Sequence, residues 1–334
     1  MPCEPVDVVI HCGDLTQHST LNEFRKTLDM LKKFKAPLTL VIAGNHDFSL
    51  DPTAFKAKIE EANRISGEPL EAALLESEFG GNGTVRKIFT DAQKDGIFLL
   101  DEGTHEFALA NGATFKVYAS PYTPSSSEGW GFSYNQGDGH HFDIQADTDI
   151  VITHGPPHGM MDMAADRERI GCPQLFAAVA RSQPRLHCFG HVHGGWGAKR
   201  VAWRPQLSSN PSHFSDIDHD KSKLVDNLSS LRGTKFESED DKKEREEKLE
   251  LYKKQRCCVS EHLRGGMSSS KPKSTMFVNA AIETGGELQH YPWIIAIDLP
   301  TSETSMMPKT ERKRKREGAH QEPEEVKKTR IEHE

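Results

Sequence analysis

The stretch Leu38-Thr39-Leu40-Val41-Ile42-Ala43-Gly44-Asn45-His46-Asp47 decides the fold, because an apolar run of strand length ends there in polar side chains. An earlier apolar run, residues 6–12, ends in the same way at Gly13-Asp14. Between the two runs, Thr20 and Glu23 are spaced as a capping box, and the apolar residues that follow recur at helical spacing. Strand, helix and strand, with both strands largely apolar, is the pattern of a βαβ unit in a covered parallel sheet.

Two later strand-like runs end in histidine. Residues 149–153 lead into His154-Gly155, and residues 186–189 lead into Gly190-His191-Val192-His193. Because strands of an α/β sheet present their carboxyl ends at a common edge, we expect these side chains to lie near those that follow the first two strands.

The rest of the ordered chain mixes short strands with a few helices. Further strands are predicted at 97–100, 115–119, 276–280 and 293–297, and helices near 53–65 and 173–181. This order predicts two packed sheets with helices outside them.

The residues at the strand ends are ligands for hard or borderline divalent metals. Asp14 offers a carboxylate that can bridge two ions, Asn45 offers a neutral carbonyl oxygen, and imidazole nitrogens come from His154, His191 and His193. His46 is placed to protonate a leaving alkoxide as general acid. Each motif alone is also compatible with an ordinary turn, but their ordered combination predicts a metal site.

Several motifs together resemble the calcineurin-like metallophosphoesterase superfamily. Residues 118–124 (Tyr-Ala-Ser-Pro-Tyr-Thr-Pro), 153–157 (Thr-His-Gly-Pro-Pro) and 189–193 (Phe-Gly-His-Val-His) resemble its metallophosphoesterase-domain-containing branch. The resemblance implies a four-layer α/β/β/α sandwich, here missing its first strand. It also implies an enzyme that hydrolyses phosphate esters, with phosphodiesters favoured, by a metal-activated hydroxide.

The resemblance also implies a role for each site residue. Asp14 would bridge two metal ions, Asn45, His154 and His191 would complete the second ion's site, and His193 would bind the first ion. His46 would be the catalytic acid. The cofactors would be divalent ions (Mn, Fe, Zn or Mg), two in the family and one as the alternative here.

One family motif is missing from this sequence. Relatives carry an earlier strand that ends in Asp-x-His and supplies two ligands to the first metal, and no such motif precedes Asp14. Two explanations are open: a sequence that begins downstream of its natural start, or a short product with impaired activity. The alternative function is therefore a catalytically impaired phosphate-binding or nucleotide-binding protein, or a scaffold.

The predicted domain covers residues 1–300 and is interrupted by a polar, disordered insertion at 206–273. A charged, disordered tail at 301–334 contains the basic cluster 312–316, which reads either as a nuclear import signal or as part of a solvated tail.

Composition narrows the class of partner. The net charge of -8 argues against a general nucleic-acid binder, so no stable nucleic-acid binding is expected. No apolar run approaches the roughly 20 residues of a membrane span, and the six cysteines show no disulfide or zinc spacing. We expect a cytoplasmic protein, with a nuclear location as the alternative, acting on a small phosphate ester that can be a nucleotide.

Overall fold

The computed structural model describes residues 4–81, 83–125, 129–263, 274–284 and 287–300. Within them the strands are β1 (Val8–His11), β2 (Leu38–Val41), β3 (Ile97–Leu99), β4 (Gly103–Ala108), β5 (Thr114–Ser120), β6 (Thr123–Ser125), β7 (Ser133–Asn135), β8 (Ile150–Thr153), β9 (Leu186–Phe189), β10 (Gly197–Trp203), β11 (Ile217–Asn227), β12 (Cys258–Leu263), β13 (Ser274–Asn279), β14 (Glu283–Thr284), β15 (Glu287–Leu288) and β16 (Trp293–Ile297). The α-helices are α1 (Leu21–Leu31), α2 (Pro52–Ser66), α3 (Ala72–Phe79), α4 (Thr84–Ala92), α5 (Pro173–Ser182), α6 (Leu228–Arg232) and α7 (Glu239–Gln255).

The helices begin where the sequence provides caps. Thr20 and Glu23 form the predicted capping box of α1, with the Glu23 carboxylate 3.0 Å from the Thr20 nitrogen. The Asp51 side chain caps α2 by accepting hydrogen bonds from the backbone N–H groups of Thr53 and Ala54. Pro52 occupies the first turn, where its missing N–H costs little. The helices predicted near 53–65 and 173–181 are confirmed as α2 and α5.

Among the described residues, the strands form two main sheets. The first is a parallel sheet in the order β1-β2-β3. The second has the order β11-β10-β13-β9-β8-β5-β4, and its central strands β13, β9, β8 and β5 run parallel. The parallel strands end in the loops that carry the predicted site residues.

Alternating side chains along the strands divide the core into layers. On β2, Leu40 packs into the core between the two sheets, and its neighbour Val41 packs against α1 and α4. On β8, Ile152 faces the same inter-sheet core, and Val151 packs against α5. Helix, sheet, sheet and helix therefore follow one another, and the predicted four-layer sandwich is confirmed.

The segment predicted as a disordered insertion contains regular structure where it is described. Strand β11 pairs with β10 in the larger sheet, and helices α6 and α7 follow it. The prediction of disorder is wrong for these residues. The remaining part at 264–273, the tail 301–334 and its basic cluster lie outside the described residues.

A few buried contacts hold this polar segment. The buried Asp226 carboxylate accepts from the Tyr252 hydroxyl at 2.5 Å and from the Lys248 ammonium at 3.2 Å. Tyr252 and Cys258 also pack with Trp196 in a small apolar cluster. One aromatic residue in a helix of charged residues gives no periodic apolar face, so the sequence pattern did not indicate the helix.

The described helices include none with the length and the apolar character that crossing a membrane demands.

A buried histidine, His187 on β9, makes the stability of the fold depend on pH. Its Nε2 lies 2.9 Å from Thr153 Oγ1, and its ring contacts Phe189 and Phe277. Burial lowers the pKa of His187 from 6.5 to about 3. Between these two values the unfolded chain binds a proton that the folded protein excludes, so stability falls as the pH falls.

We expect the variant His187→Phe to have a weaker pH dependence of stability than the wild type. The difference in slope between pH 6 and pH 4 should approach about 1.4 kcal/mol per pH unit, the limit for one proton. Urea unfolding at pH 7, 6, 5 and 4 measures it, with the exposed His18→Phe as the control. Equal slopes in the wild type and His187→Phe would contradict this assignment.

Candidate metal centre

The smaller sheet places two candidate oxygen ligands on neighbouring loops. Asp14 lies just after β1 and Asn45 just after β2, and the two strands run parallel in register. Asp14 adopts a left-handed backbone conformation, with φ at 53°. At position 44 only glycine fits, because a Cβ there would collide with the backbone nitrogen and the Oδ1 atom of Asp14. The close approach of the two loops therefore depends on Gly44.

The larger sheet supplies two imidazoles. His154 directly follows β8, and His191 follows β9 after Gly190, whose backbone N–H donates to the His154 carbonyl at 2.9 Å. His191, like Asp14, is left-handed, with φ at 64°. A non-glycine residue in this region costs on the order of 1–3 kcal/mol, so the surrounding contacts must hold it.

The four side chains converge on one point between the sheets. One ligand atom from each of Asp14, His154 and His191 lies within 4.8 Å of the others. The Asn45 Oδ1 atom lies 2.9 Å from His154 Nε2 and 3.0 Å from His191 Nδ1. A carboxylate, an amide oxygen and two imidazoles form a donor set that fits a divalent cation of borderline hardness.

The local electrostatics also favour a cation. Burial acts to raise the pKa of Asp14, but His154 and the backbone N–H of His46 bring that pKa well below its ordinary value. Burial opposes the charged form of His154, but Asp14 raises its pKa above 6.5. Burial, and then the nearby charge of His154, lowers the pKa of His191 to about 3. Asp14 is therefore ionised and the His191 imidazole neutral, which are the forms that bind metals, whereas a metal ion bound to His154 would displace the proton that Asp14 favours there.

Asp47, which was not predicted as a site residue, contacts the loops after β1 and after β2. Its fully buried carboxylate accepts from the backbone N–H groups of Leu15 and Gly44, at 3.0 and 2.8 Å. It also accepts from the nitrogen and hydroxyl of Thr16, at 3.0 and 2.7 Å. Burial, and then the charge of Asp14, raises the pKa of Asp47 to about 7. The position of Asp47 directly after Gly-Asn-His could have indicated this role. In a sequence, however, it cannot be told from an aspartate in an ordinary turn.

His46 lies at the edge of the centre. Its backbone N–H donates to Asp14 Oδ1 at 3.0 Å, and its ring Nδ1 lies 2.9 Å from the Gln17 carbonyl. The ring centroid is 4.7 Å from that of Trp130, and the Lys58 ammonium lies 5.1 Å from the Trp130 ring. With Nδ1 directed at a carbonyl, Nε2 is the nitrogen suited to proton transfer.

His193 stands apart from the other predicted ligands. Its Nδ1 lies 2.9 Å from Glu283 Oε2, and both side chains are partly exposed. Within the described ranges, the acidic and histidine side chains gathered closely enough to share one ion are Asp14, His154 and His191. A role for His193 as a ligand, and the expectation of an additional strand upstream, stay predictions.

A separate groove of about 610 Å³ lies elsewhere on the surface. Its lining includes His140, His158, Phe176, Arg181 and His213 and shares no residue with the candidate metal centre.

Several known proteins are similar in sequence to this chain. Metallophosphoesterase domain-containing protein 1 of Homo sapiens is 32% identical over 197 residues, 57% of this chain and 55% of the human protein. UPF0046 protein T07D4.2 of Caenorhabditis elegans is 31% identical over 205 residues, 58% of this chain and 47% of that protein. A probable rhamnogalacturonate lyase C of Emericella nidulans is 34% identical over 200 residues, 59% of this chain but only 16% of the relative.

The chain thus spans about half the length of the first two relatives and a smaller part of the third. The model of the calcineurin-like phosphoesterase family matches residues 2–195, more than half of the chain. This match includes the loops that carry Asp14, Asn45, His154 and His191. The chain belongs to the calcineurin-like phosphoesterase family.

Proposed function

We propose that this chain is a metal-dependent phosphoesterase that uses the centre at Asp14, Asn45, His154 and His191. The observation that carries the proposal is the convergence of these four side chains from loops of two different sheets. A fold has no structural need for two imidazoles to share one amide oxygen beside an ionised carboxylate. Membership of the family supports the same reaction class.

The chemistry follows from the residues present. A divalent ion held by this donor set would supply a nucleophile by lowering the pKa of water to about 7. Asp14 and Asn45 provide the oxygen side of the site, and His154 and His191 provide the nitrogen side. His46, held beside Asp14 by its backbone, gives a proton through Nε2 to the oxygen of the leaving group.

We extend the proposal to phosphodiesters. A diester, like a monoester, has an alkoxide leaving group that needs a proton, and His46 is placed next to the centre to donate one. The Trp130 indole and the Lys58 ammonium lie on the same side as His46 and provide an aromatic and cationic wall for the departing alcohol. These features favour a small organic phosphate, and a nucleotide is one substrate that they suit.

The alternative is a binding protein with one metal ion. His193 lies outside the gathered group and contacts Glu283, so the described residues offer one well-formed cation site. A single ion can hold a phosphate, but it lacks the clamp that two ions apply to the attacking and leaving oxygens.

We also propose that the chain acts inside the cell, in the cytoplasm or the nucleus. The described cysteines Cys12, Cys172, Cys188, Cys257 and Cys258 are buried and form no disulfide with one another, as expected for a reducing compartment.

We expect Asp14→Ala and His191→Ala to abolish Mn²⁺-stimulated hydrolysis of a generic phosphodiester such as bis(p-nitrophenyl) phosphate. Each variant removes a ligand, so the loss should exceed the roughly 100-fold that changes around the ligands produce. The matched control is His18→Ala, which removes an exposed imidazole. Unchanged activity in Asp14→Ala would refute the assignment of the centre.

His46→Ala should lower kcat by about 10²–10⁴-fold, the usual contribution of a general acid, with little change in metal affinity. Steady-state kinetics and Mn²⁺ titration measure the two effects separately. A substrate with a good leaving group, such as p-nitrophenol, should reduce the difference from wild type, because it needs less protonation. An equal loss with good and poor leaving groups would contradict the acid role.

Metal stoichiometry distinguishes the enzyme from the binding protein. We expect metal analysis of purified full-length chain, together with turnover, to give close to two ions per active chain if His193 acts as a ligand. One ion per chain with phosphate binding and no turnover would favour the binding protein.

A further inference from the structure

The turn at residues 190–195 carries both His191 and His193, and its backbone includes an uncommon conformation. His191 has a φ of 64°, in the left-handed region that favours glycine. Within the turn, the backbone N–H of Gly195 donates to the Val192 carbonyl at 3.0 Å. Such a turn needs contacts from outside itself to hold a left-handed histidine in place.

Those contacts come from Asn279 at the end of β13, far along the chain. Its fully buried carboxamide donates through Nδ2 to the Val192 carbonyl at 3.0 Å and to the Met161 carbonyl at 3.2 Å. Its Oδ1 accepts from the Ala281 N–H at 3.0 Å. Every polar atom of the Asn279 side chain is thus engaged, and one contact falls on the residue between the two histidines.

The 190–195 turn packs closely against this carboxamide. A Cβ at position 195 would collide with the Met161 carbonyl and lie 2.7 Å from Asn279 Nδ2. Only glycine at 195 lets the turn approach the carboxamide this closely. The strand register fixes Asn279 from both sides, since it pairs with Phe189 on β9 and with Gly197 on β10.

We propose that Asn279 is a positioning residue for the candidate metal centre: its carboxamide, which joins the Val192 carbonyl to the Met161 carbonyl, holds the 190–195 turn in the conformation that directs His191 into the site. The inference rests on the proposed function in so far as His191 is taken to be a ligand. It goes beyond the family match, which ends at residue 195. The centre depends on a strand that lies more than 80 residues after its last ligand in sequence.

The test compares metal-dependent thermal stabilisation among variants of the full-length chain. Asn279→Asp keeps the shape of the side chain and its acceptor oxygen but removes both N–H donors. Asn279→Ser removes the carboxamide without burying a carboxylate, and serves if Asn279→Asp does not fold. Leu31→Ala is the control, because it leaves a cavity beside the starts of β2 and β3, at the opposite ends of those strands from the metal loops.

In the wild type, Tm should rise as Mn²⁺ is added, because the ion binds the folded state. In the Asn279 variants the Mn²⁺ concentration that produces a given rise in Tm should increase by about 10–100-fold, the usual effect of losing support around a metal ligand. Leu31→Ala should lower Tm yet keep the wild-type Mn²⁺ dependence. An Asn279 variant with a lower Tm and unchanged Mn²⁺ dependence would overturn the proposal, because Asn279 would then serve the fold alone.

A second measurement does not require metal. The ring signals of His191 and His193 in ¹H–¹³C NMR spectra of the metal-free protein, assigned with His→Ala variants, should move or broaden in the folded Asn279 variants. The signal of the remote His105 should not. If Mn²⁺ has no effect on the wild type, the proposed function fails, and these spectra still decide whether Asn279 orders the turn. Unchanged His191 and His193 signals would overturn the proposal.

Discussion

One buried carboxylate, that of Asp47, holds together the loops that carry the oxygen atoms of the candidate metal centre. It accepts four hydrogen bonds from the loop after β1 and from the start of the loop after β2. A carboxylate without solvent has to satisfy its acceptor positions within the protein, so the two loops can take few other arrangements. Asp14 and Asn45 are thereby brought together, and the smaller sheet contributes its oxygens as a unit.

In the larger sheet, a strained backbone at His191 and the buried amide of Asn279 determine where the imidazoles lie. His191 is held in a left-handed conformation, as Asp14 is on the opposite side of the site. Strained residues persist only where surrounding contacts hold them. Here Gly44 lies against Asp14, and Asn279 donates to the carbonyl of Val192, the residue after His191. These contacts restrict the conformations open to each half of the candidate centre, which is the kind of preorganisation that a cation site uses.

Much of the fold and the site follows from local pattern. The apolar run before Gly44 predicts a buried strand, Thr20 and Glu23 predict a helix start, and the polar residues after each strand predict the edge where a site forms. One feature did not follow. Helix α7 is held by the contacts of Tyr252 and Lys248 with Asp226, and these long-range interactions leave no periodic apolar face. The ring of His193, which is predicted to bind the first ion, contacts Glu283, and its role as a ligand stays a prediction.

The sequence by itself determined the family, the layer order and the four residues that meet at the centre. It could do so because hydrophobic alternation and strand-end chemistry are local properties of the chain. Only the tertiary structure decided which side chains hold that centre in place. Asp47 and Asn279 are ordinary turn or strand-end residues in sequence, and their importance comes from burial and from partners 31–32 and 87–118 residues away. Burial and pairing with distant residues arise from tertiary packing, so they cannot be predicted from the local sequence pattern.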